Sequence, residues 1–412
     1  MKKVIIIGGG AAGMLASIFT ARMGHEVHIY EQNDRLGRKL FITGKGRCNI
    51  TNACEVEELL SAIVSNSKFL YSSLYGYSNC DIVDLLEELG VTTKVERGNR
   101  VFPVSDKSND VIRALEHEMK RQKVQIHLKQ AVKSVKEEQG VFSHIILENG
   151  KHVVADSCIV ATGGCSYPLT GSKGKGYQWG EELGHTIMPL FPSLVPMEVR
   201  EDEAKELQGL SLRNVNVTIL RRQKNKNTEV YTNFGEMLFT HYGVSGPLII
   251  DASAYVGPML QTEELQLQID LKPALSIQEL DRRILREFDS NQNKQFKNVI
   301  GSLFPAKLLP VMLKRGDILP EKPVNLISKE ERLAFVKLVK TLTFTITKLR
   351  GFEEAIITKG GICVKEINPS TMESKKVKNL YFIGEILDLD ALTGGYNLQI
   401  AWSSAYAAAM SQ

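Results

Sequence analysis

The first thirty residues constrain this chain more than any other stretch. Lys3 to Ile7 is a short apolar run, and Gly8-Gly9-Gly10-Ala11-Ala12-Gly13 follows at once. A helical pattern continues to about Met23, and Glu26-Val27-His28-Ile29-Tyr30 reads as a second strand closed by Glu31. Strand, glycine turn, helix, strand and terminal acid make a βαβ unit of the dinucleotide-binding kind. Gly8 permits the tight turn, Gly10 withholds the Cβ that would block a pyrophosphate, and Gly13 lets the helix close on the strand. The free N–H groups and the dipole at the helix start favour an anionic phosphate. Glu31 can accept hydrogen bonds from an adenosine ribose and disfavours a 2′-phosphate, so FAD or NAD is preferred to NADP here.

At 412 residues the chain is long enough for two or three domains, and 43% hydrophobic with 24% charged residues describes a globular protein. A net charge of +4 is too small to argue for nucleic acid or a membrane surface. No repeat or low-complexity tract is visible. Met1-Lys2-Lys3 before an apolar stretch superficially resembles a signal peptide, but the glycine cluster and Glu31 fit a Rossmann start better. No apolar run reaches the roughly 18–20 residues of a membrane span. Cys48, Cys54, Cys80, Cys158, Cys165 and Cys363 form no CxxC pair, which argues against a redox disulfide and a zinc ribbon. No metal site is expected, and the expected location is the reducing cytoplasm.

After Glu31 the segment from Gln32 to Lys39 reads as a polar connection. Thr43-Gly44-Lys45-Gly46-Arg47-Cys48-Asn49-Ile50-Thr51-Asn52 then suits either the flank of a polar cofactor or a turn-rich surface loop. Helices are expected over 56–64, 79–89 and 108–122, strands at 125–128 and 131–135, and a hairpin at 141–154. Ser157 to Ala161 is an apolar strand ending at Thr162-Gly163-Gly164. Past residue 190 the texture changes. Pro189, Pro192 and Pro196 punctuate the chain, and strands are expected at 215–220, 229–232 and 265–271, with a loop from Phe239 to Pro247 between them. Helices are expected at 276–289, 294–315 and 328–341. These readings give a first domain part at 1–190, an inserted β domain at 191–275, a helical part at 276–346, and a return at 347–412.

The return carries chemistry. Asn379 to Ile383 reads as a buried strand ending at Gly384-Glu385, with Asp388 and Asp390 following. Thr393-Gly394-Gly395-Tyr396-Asn397 then opens a small-residue helix over 398–409. A strand, an acid and a glycine turn at a helix start make a second dipole site for an anion. By contrast, Gly171-Ser172-Lys173-Gly174-Lys175-Gly176 lacks a preceding strand and is not read as a nicotinamide site.

These segments resemble the glutathione-reductase-type FAD superfamily, and within it the HI0933-like (BaiN/RdsA) family of NAD(P)/FAD-dependent oxidoreductases. The resemblance rests on GGGAAGMLAS at the start, GRKLFITGKGRCNITN at 37–52, ATGGCSYPLTGSKGKGY at 161–177, FTHYGVSGP at 239–247, TKGGI at 358–362 and TMESKKVKNLYFIGEILDLDALTGGYNLQIAWSS at 371–404. It implies an α/β, Rossmann-like two-dinucleotide-binding-domain flavoprotein fold, with an FAD domain from both chain ends, an inserted β domain and a small helical domain. It also implies FAD contacts from Gly8, Gly10, Ala12, Gly13, Glu31, Arg38, Lys39, Thr43, Gly44, Cys48, Asn49, Val132, Thr162, Gly163, Gly384, Glu385, Asn397 and Leu398. Ala391 and Ala405 stand where the family pattern often has Gly.

Two activities follow from the resemblance. One is reduction of a conjugated C=C in 3-oxo bile-acid intermediates, with NAD(P)H as a transient donor. The other is oxidation of a small amine such as aminoacetone by O₂. A third reading makes the flavin a structural or sensing element. The expected partner is a small-molecule substrate, with no nucleic acid and no membrane; no motif speaks to oligomeric state. Tyr167, His241 and Tyr242 lie in signature segments outside the fingerprint. Each could protonate a carbanion or polarise a carbonyl, or could simply pack. Cys48 reads as a buried filler rather than a redox group. A substrate cleft is expected between the flavin and the insert, with Phe239–Pro247 in its wall.

Overall fold

A computed structural model describes residues 1–223 and 226–412. The chain divides into two units, Met1–Ser193 with Gly351–Gln412, and Leu194–Arg350.

In the first unit the apolar run Lys3–Ile7 is strand β1, paired in parallel with β2 (Glu26–Glu31) on one side. β2 in turn pairs with β3 (Gln125–Leu128), while β1 also pairs with β4 (Ser157–Val160), and β4 with β5 (Leu380–Phe382). The order β5-β4-β1-β2-β3 places strands from both chain ends in one parallel sheet. Its middle strands are buried on both faces, so they read as unbroken apolar runs. Helix α1 (Ala11–Arg22) is apolar on most of its circumference and correspondingly buried. The last helix, Tyr396–Ala409, packs on it: Phe19 meets Tyr406 edge to face at 4.9 Å. Ser403, Ser404, Ala405 and Ala408 of that helix are fully buried, and small side chains let it lie close. Val132–Glu138, Val141–Leu147 and His152–Val154 form an antiparallel meander. Ile187–Ser193 pairs antiparallel with Ile357–Ile362.

The second unit is built on a closed barrel. Around it run Met197–Val199, Gly243–Ser245, Lys226–Thr240, Ser211–Gln223, Leu265–Asp270 and Leu342–Leu349. Alternate residues Val217, Ile219, Leu267, Ile269, Phe344 and Ile346 fill its core, the period of two expected of half-buried strands. Helices Ile277–Asp289 and Lys329–Lys340 both start at capping boxes, Ser276 with Glu279 and Ser328 with Glu331.

Several expectations need correction. The helix expected over 294–315 breaks into Phe296–Val299, a 3₁₀ turn Ile300–Leu303 and Leu309–Arg315; Pro305 lies in the gap and has no N–H to continue a helix. The segment expected as a loop from Phe239 to Pro247 is a hairpin leading into a helix. Phe239 and Thr240 end one strand, Gly243–Ser245 is the next, and Pro247 opens Pro247–Val256. Gly243 and Gly246 have φ of 155° and 90°, and a Cβ on Gly243 would lie 2.4 Å from the Met197 carbonyl oxygen. The β part of the insert, expected to end at 275, extends further. Its last strand, Leu342–Leu349, lies beyond the helices, because the barrel closes only when that strand pairs with both Leu265–Asp270 and Met197–Val199. Within the supposed polar connection, Gly37 (φ 68°) turns the chain into a one-turn helix, Arg38–Ile42.

Candidate cofactor site

The glycine turn after β1 shows three different environments. A Cβ on Gly8 would sit 2.4 Å from the Ala161 carbonyl oxygen and 3.3 Å from the Thr162 Cα. One on Gly13 would sit 1.9 Å from the Gly8 carbonyl oxygen. One on Gly10 would meet nothing within 4 Å. Gly8 and Gly13 are therefore closed by the protein itself, whereas Gly10 borders open space at the start of α1. That helix start has no side-chain cap and no acid in its first turn. Its leading N–H groups are available to an anion.

Glu31 ends β2 and is buried. One carboxylate oxygen accepts from the Gly9 N–H at 2.7 Å; the other accepts from the Asn33 N–H at 2.8 Å and the Asn33 Nδ2 at 2.7 Å. The acid thus holds the glycine turn in shape, and a carboxylate with about four acceptor positions keeps capacity for one more donor. Arg38 donates to the Asn33 Oδ1 at 2.8 Å. Val132 begins a strand just after Gln130, whose N–H reaches the Glu31 carbonyl at 3.0 Å.

The strongest cross-links join the two chain ends. Lys39 Nζ lies 2.5 Å from Glu385 Oε2 and 2.6 Å from Ser166 Oγ. Glu385 Oε1 accepts from Ser166 Oγ at 2.7 Å and from the Thr358 N–H at 2.9 Å. Thr358 Oγ1 accepts the Cys165 and Ser166 N–H groups at 2.7 and 3.1 Å. A Cβ on Gly164 would come within 2.4 Å of that hydroxyl, so the packing there requires glycine. Gly384 faces Ala12, with 3.2 Å between an added Cβ and the alanine methyl. Neither Ser166 nor Thr358 was assigned from sequence. Both sit inside the family-like segments at 161–177 and 358–362, but nothing there marks them as partners of Glu385.

At the last helix, Gly394 and Gly395 have φ of 134° and 101°, and a Cβ on Gly395 would clash with the Thr51 backbone at 2.4 Å. This helix start also lacks a side-chain cap. Asn397 is spent locally: it accepts from the Ala391 N–H at 3.0 Å and donates to the Ala391 carbonyl at 2.7 Å. Leu398 packs against the core. Ala391 and Ala405 are both fully buried, so the extra methyl each has over glycine is accommodated.

In the loop after Arg38–Ile42, Thr43 donates to the Leu40 carbonyl at 2.7 Å, and a Cβ on Gly44 would lie 3.0 Å from the Asn49 nitrogen. Cys48 is fully buried with φ 61°, and burial pushes its thiol up to about 12. It is no nucleophile at neutral pH. Gly163 has φ 70°. Asn49 Oδ1 and Thr162 Oγ1 are buried with no hydrogen-bond partner. Buried polar atoms are rarely left unpaired, and both of these lie in segments that the resemblance assigns to the cofactor. Together with the open side of Gly10 and two uncapped helix starts, they fit a dinucleotide such as FAD.

Tyr167 is half-buried with φ 52°; its N–H reaches the Phe352 carbonyl at 3.0 Å, and burial raises its phenol. His241 and Tyr242 belong to the insert. Their rings meet edge to face at 4.6 Å, and the Arg350 guanidinium lies 4.5 Å over the Tyr242 ring.

The sheet and the glycine turn define the class, a Rossmann-type α/β protein. The chain belongs to the HI0933-like family, whose Rossmann-domain model matches residues 2–411. It is 30% identical over 411 residues to the 3-dehydro-bile acid delta(4,6)-reductase of Clostridium scindens, covering 99% of this chain and 98% of that protein. It is 34% identical over 413 residues to the ribosomal RNA dihydrouridine synthase of Haemophilus influenzae, covering 99% and 97%. Among solved structures, the 3-ketosteroid delta1-dehydrogenase of Sterolibacterium denitrificans aligns over 99% of this chain and 98% of its own, at 12% identity and a TM-score of 0.49. Among the described residues no helix is long and apolar enough to cross a membrane.

Proposed function

We propose that this protein is an FAD-dependent oxidoreductase that reduces a C=C bond conjugated to a carbonyl, with NAD(P)H as electron donor. The observation that carries the cofactor is the open side of Gly10 at an uncapped helix start, beside a glycine turn that is otherwise sterically closed. Bound FAD supplies the hydride chemistry. The chain supplies the rest. Gly10 and the α1 N–H groups hold phosphate, Glu31 fixes the turn and offers an acceptor to the ribose, and Lys39, Ser166 and Thr358 orient Glu385.

The chemistry rests on what two relatives' names have in common. Reducing a 3-oxo steroid at its 4,6 double bonds and reducing uridine to dihydrouridine both add two hydrogens to a C=C conjugated with a carbonyl. Such a step needs a donor for the carbonyl oxygen and a proton for the α-carbon. Tyr167, His241 and Tyr242 are the candidates for those roles. An enone of the 3-oxo-steroid kind is the favoured substrate. A second reading takes uridine in RNA as acceptor. The 34% identity to an RNA-modifying relative favours it. Oxidation of an amine such as aminoacetone is the reverse chemistry.

The test is turnover by purified, FAD-loaded protein. NAD(P)H consumption dependent on a 3-oxo-4-ene steroid supports the favoured reading. Consumption dependent on unmodified ribosomal RNA, with no steroid turnover, replaces it with the second. A colourless protein that takes up no added FAD defeats both.

A further inference from the structure

The barrel unit carries a groove remote in sequence from every cofactor-site residue. Its volume is about 320 Å³, at the small end of ligand pockets, and Leu212, Leu271, Phe304 and Leu308 give it an apolar lining. Arg213 and Lys272 stand among those side chains. The local backbone explains the opening. The strand Ser211–Gln223 pairs with Leu265–Asp270 only from Asn216 onward, where Asn216 faces Asp270. On its other side the register with Lys226–Thr240 shifts between Leu212 and Val215, and Asn214 takes φ 55°. A β-bulge of this kind bends a strand and re-aims its side chains. Here it carries Arg213 to the rim beyond the end of the neighbouring strand.

Among the described residues, neither Arg213 nor the Lys272 ammonium has an ion pair or hydrogen bond, Arg213 being exposed at the rim and Lys272 half-buried. Asp270, two positions from Lys272, is already committed: Oδ2 lies 2.6 Å from the Lys340 ammonium and Oδ1 accepts the Lys272 N–H at 2.9 Å. Lys272 is only partly exposed, and burial together with the charge of Arg283 pushes it below the usual lysine range. A cation withdrawn from water without a partner is costly, and an incoming anion removes that cost.

We propose that this groove binds a small amphipathic organic anion, its phosphate or carboxylate head between Arg213 and Lys272 and its apolar body on Leu212, Leu271, Phe304 and Leu308. An apolar floor with two unpartnered cations selects both halves of such a ligand at once. A neutral amphiphile forgoes the charge pairing, and a bare inorganic anion forgoes the apolar contact.

Calorimetric titration of the full-length, FAD-loaded protein with octyl phosphate, below the concentration at which it forms micelles, tests the proposal. The expected result is one site per chain, bound at least tenfold more tightly than octyl glucoside or inorganic phosphate. Paired Arg213→Gln and Lys272→Gln substitutions should weaken it at least tenfold with FAD content and melting temperature kept. Lys314→Gln, a surface lysine beside Glu203 outside the groove, should leave it unchanged. Decanoate in place of octyl phosphate distinguishes a carboxylate from a phosphate head, and tight binding of either supports the site. Equal binding of octyl glucoside, equal binding of inorganic phosphate, or full affinity in the double variant overturns the proposal. So does displacement of octyl phosphate by a single-stranded RNA oligomer that binds more tightly and is equally sensitive to both substitutions, which would make the groove an RNA contact.

Discussion

Lys39 and Glu385 stand 346 positions apart in the sequence and meet at 2.5 Å, Nζ to Oε2. The contact joins the one-turn helix Arg38–Ile42 to the turn that follows β5, and Ser166 bonds both members. Both side chains are about four-fifths buried, so neither can exchange its partner for bulk water. Lys39→Met should lower stability by about 1–3 kcal/mol, the scale for stranding a partly buried charged acceptor. FAD affinity should fall with it. In a double-mutant cycle with Glu385→Gln, the two substitutions should cost less together than their separate effects added. Strict additivity would mean the pair is not energetically coupled.

Gly10 and Gly13 separate cofactor binding from folding. Gly10 has φ −82°, which any residue adopts, and open space where a Cβ would go. Gly10→Ala should therefore give a folded protein whose melting temperature without flavin is nearly unchanged, with FAD binding at least tenfold weaker. Gly13→Ala drives a methyl into the Gly8 carbonyl and should destabilise the apoprotein itself. Equal effects of the two substitutions on the apoprotein would remove the phosphate role from Gly10.

Glu31→Ala should weaken FAD by roughly 1.5–3 kcal/mol, the range for a charged hydrogen bond. The structure adds a second route to that loss, because the same carboxylate holds the Gly9 and Asn33 N–H groups. Fluorescence titration with FAD reads the change, and unchanged affinity would show that Glu31 serves neither the ribose nor the turn.

The βαβ start was legible because three signals coincide within thirty residues: the apolar run Lys3–Ile7, the glycine spacing and the acid at Glu31. The barrel was only half legible. Leu342, Phe344 and Ile346 alternate with threonines, yet they follow a helical stretch, and pairing with a strand begun at Met197 leaves no local trace. The roles of Ser166 and Thr358 leave no local trace for the same reason. Their partner Glu385 lies far along the chain, and the hydrogen bonds among them form only when three segments converge. The break at Pro305 was written in the sequence, but apolar periodicity on both sides disguised it.

A buried carboxylate sets an acid limit on stability. Glu118 is 1% exposed, and although burial alone would raise it, hydrogen bonds from Arg121, Gln122 and Arg22 hold it down to about 2. An unfolded glutamate titrates near 4.3, so the folded state gains from this group above that pH and loses the gain as pH falls toward 2. Arg22→Met should cost about 2 kcal/mol at pH 7 by removing one of its cations. The difference from the unaltered protein in urea denaturation should shrink as pH is lowered from 5 to 3. A difference independent of pH would assign the loss to packing of the arginine stem instead.

His241→Asn and Tyr242→Phe should lower kcat by about a hundredfold, the scale of a lost proton donor, while FAD content stays intact. Tyr242→Phe keeps the ring beneath Arg350 and so isolates the hydroxyl. Wild-type kcat in both variants would leave Tyr167 as the remaining candidate.

In this reading a bound flavin takes electrons from a nicotinamide and passes them to a conjugated C=C. Anaerobic mixing of the yellow protein with NADH, NADPH or aminoacetone, followed by addition of an enone, tests it in one measurement. A nicotinamide should bleach the flavin rapidly, and the enone should restore its colour without oxygen. Rapid bleaching by aminoacetone, with neither nicotinamide reacting, would contradict it and make the protein an amine oxidase.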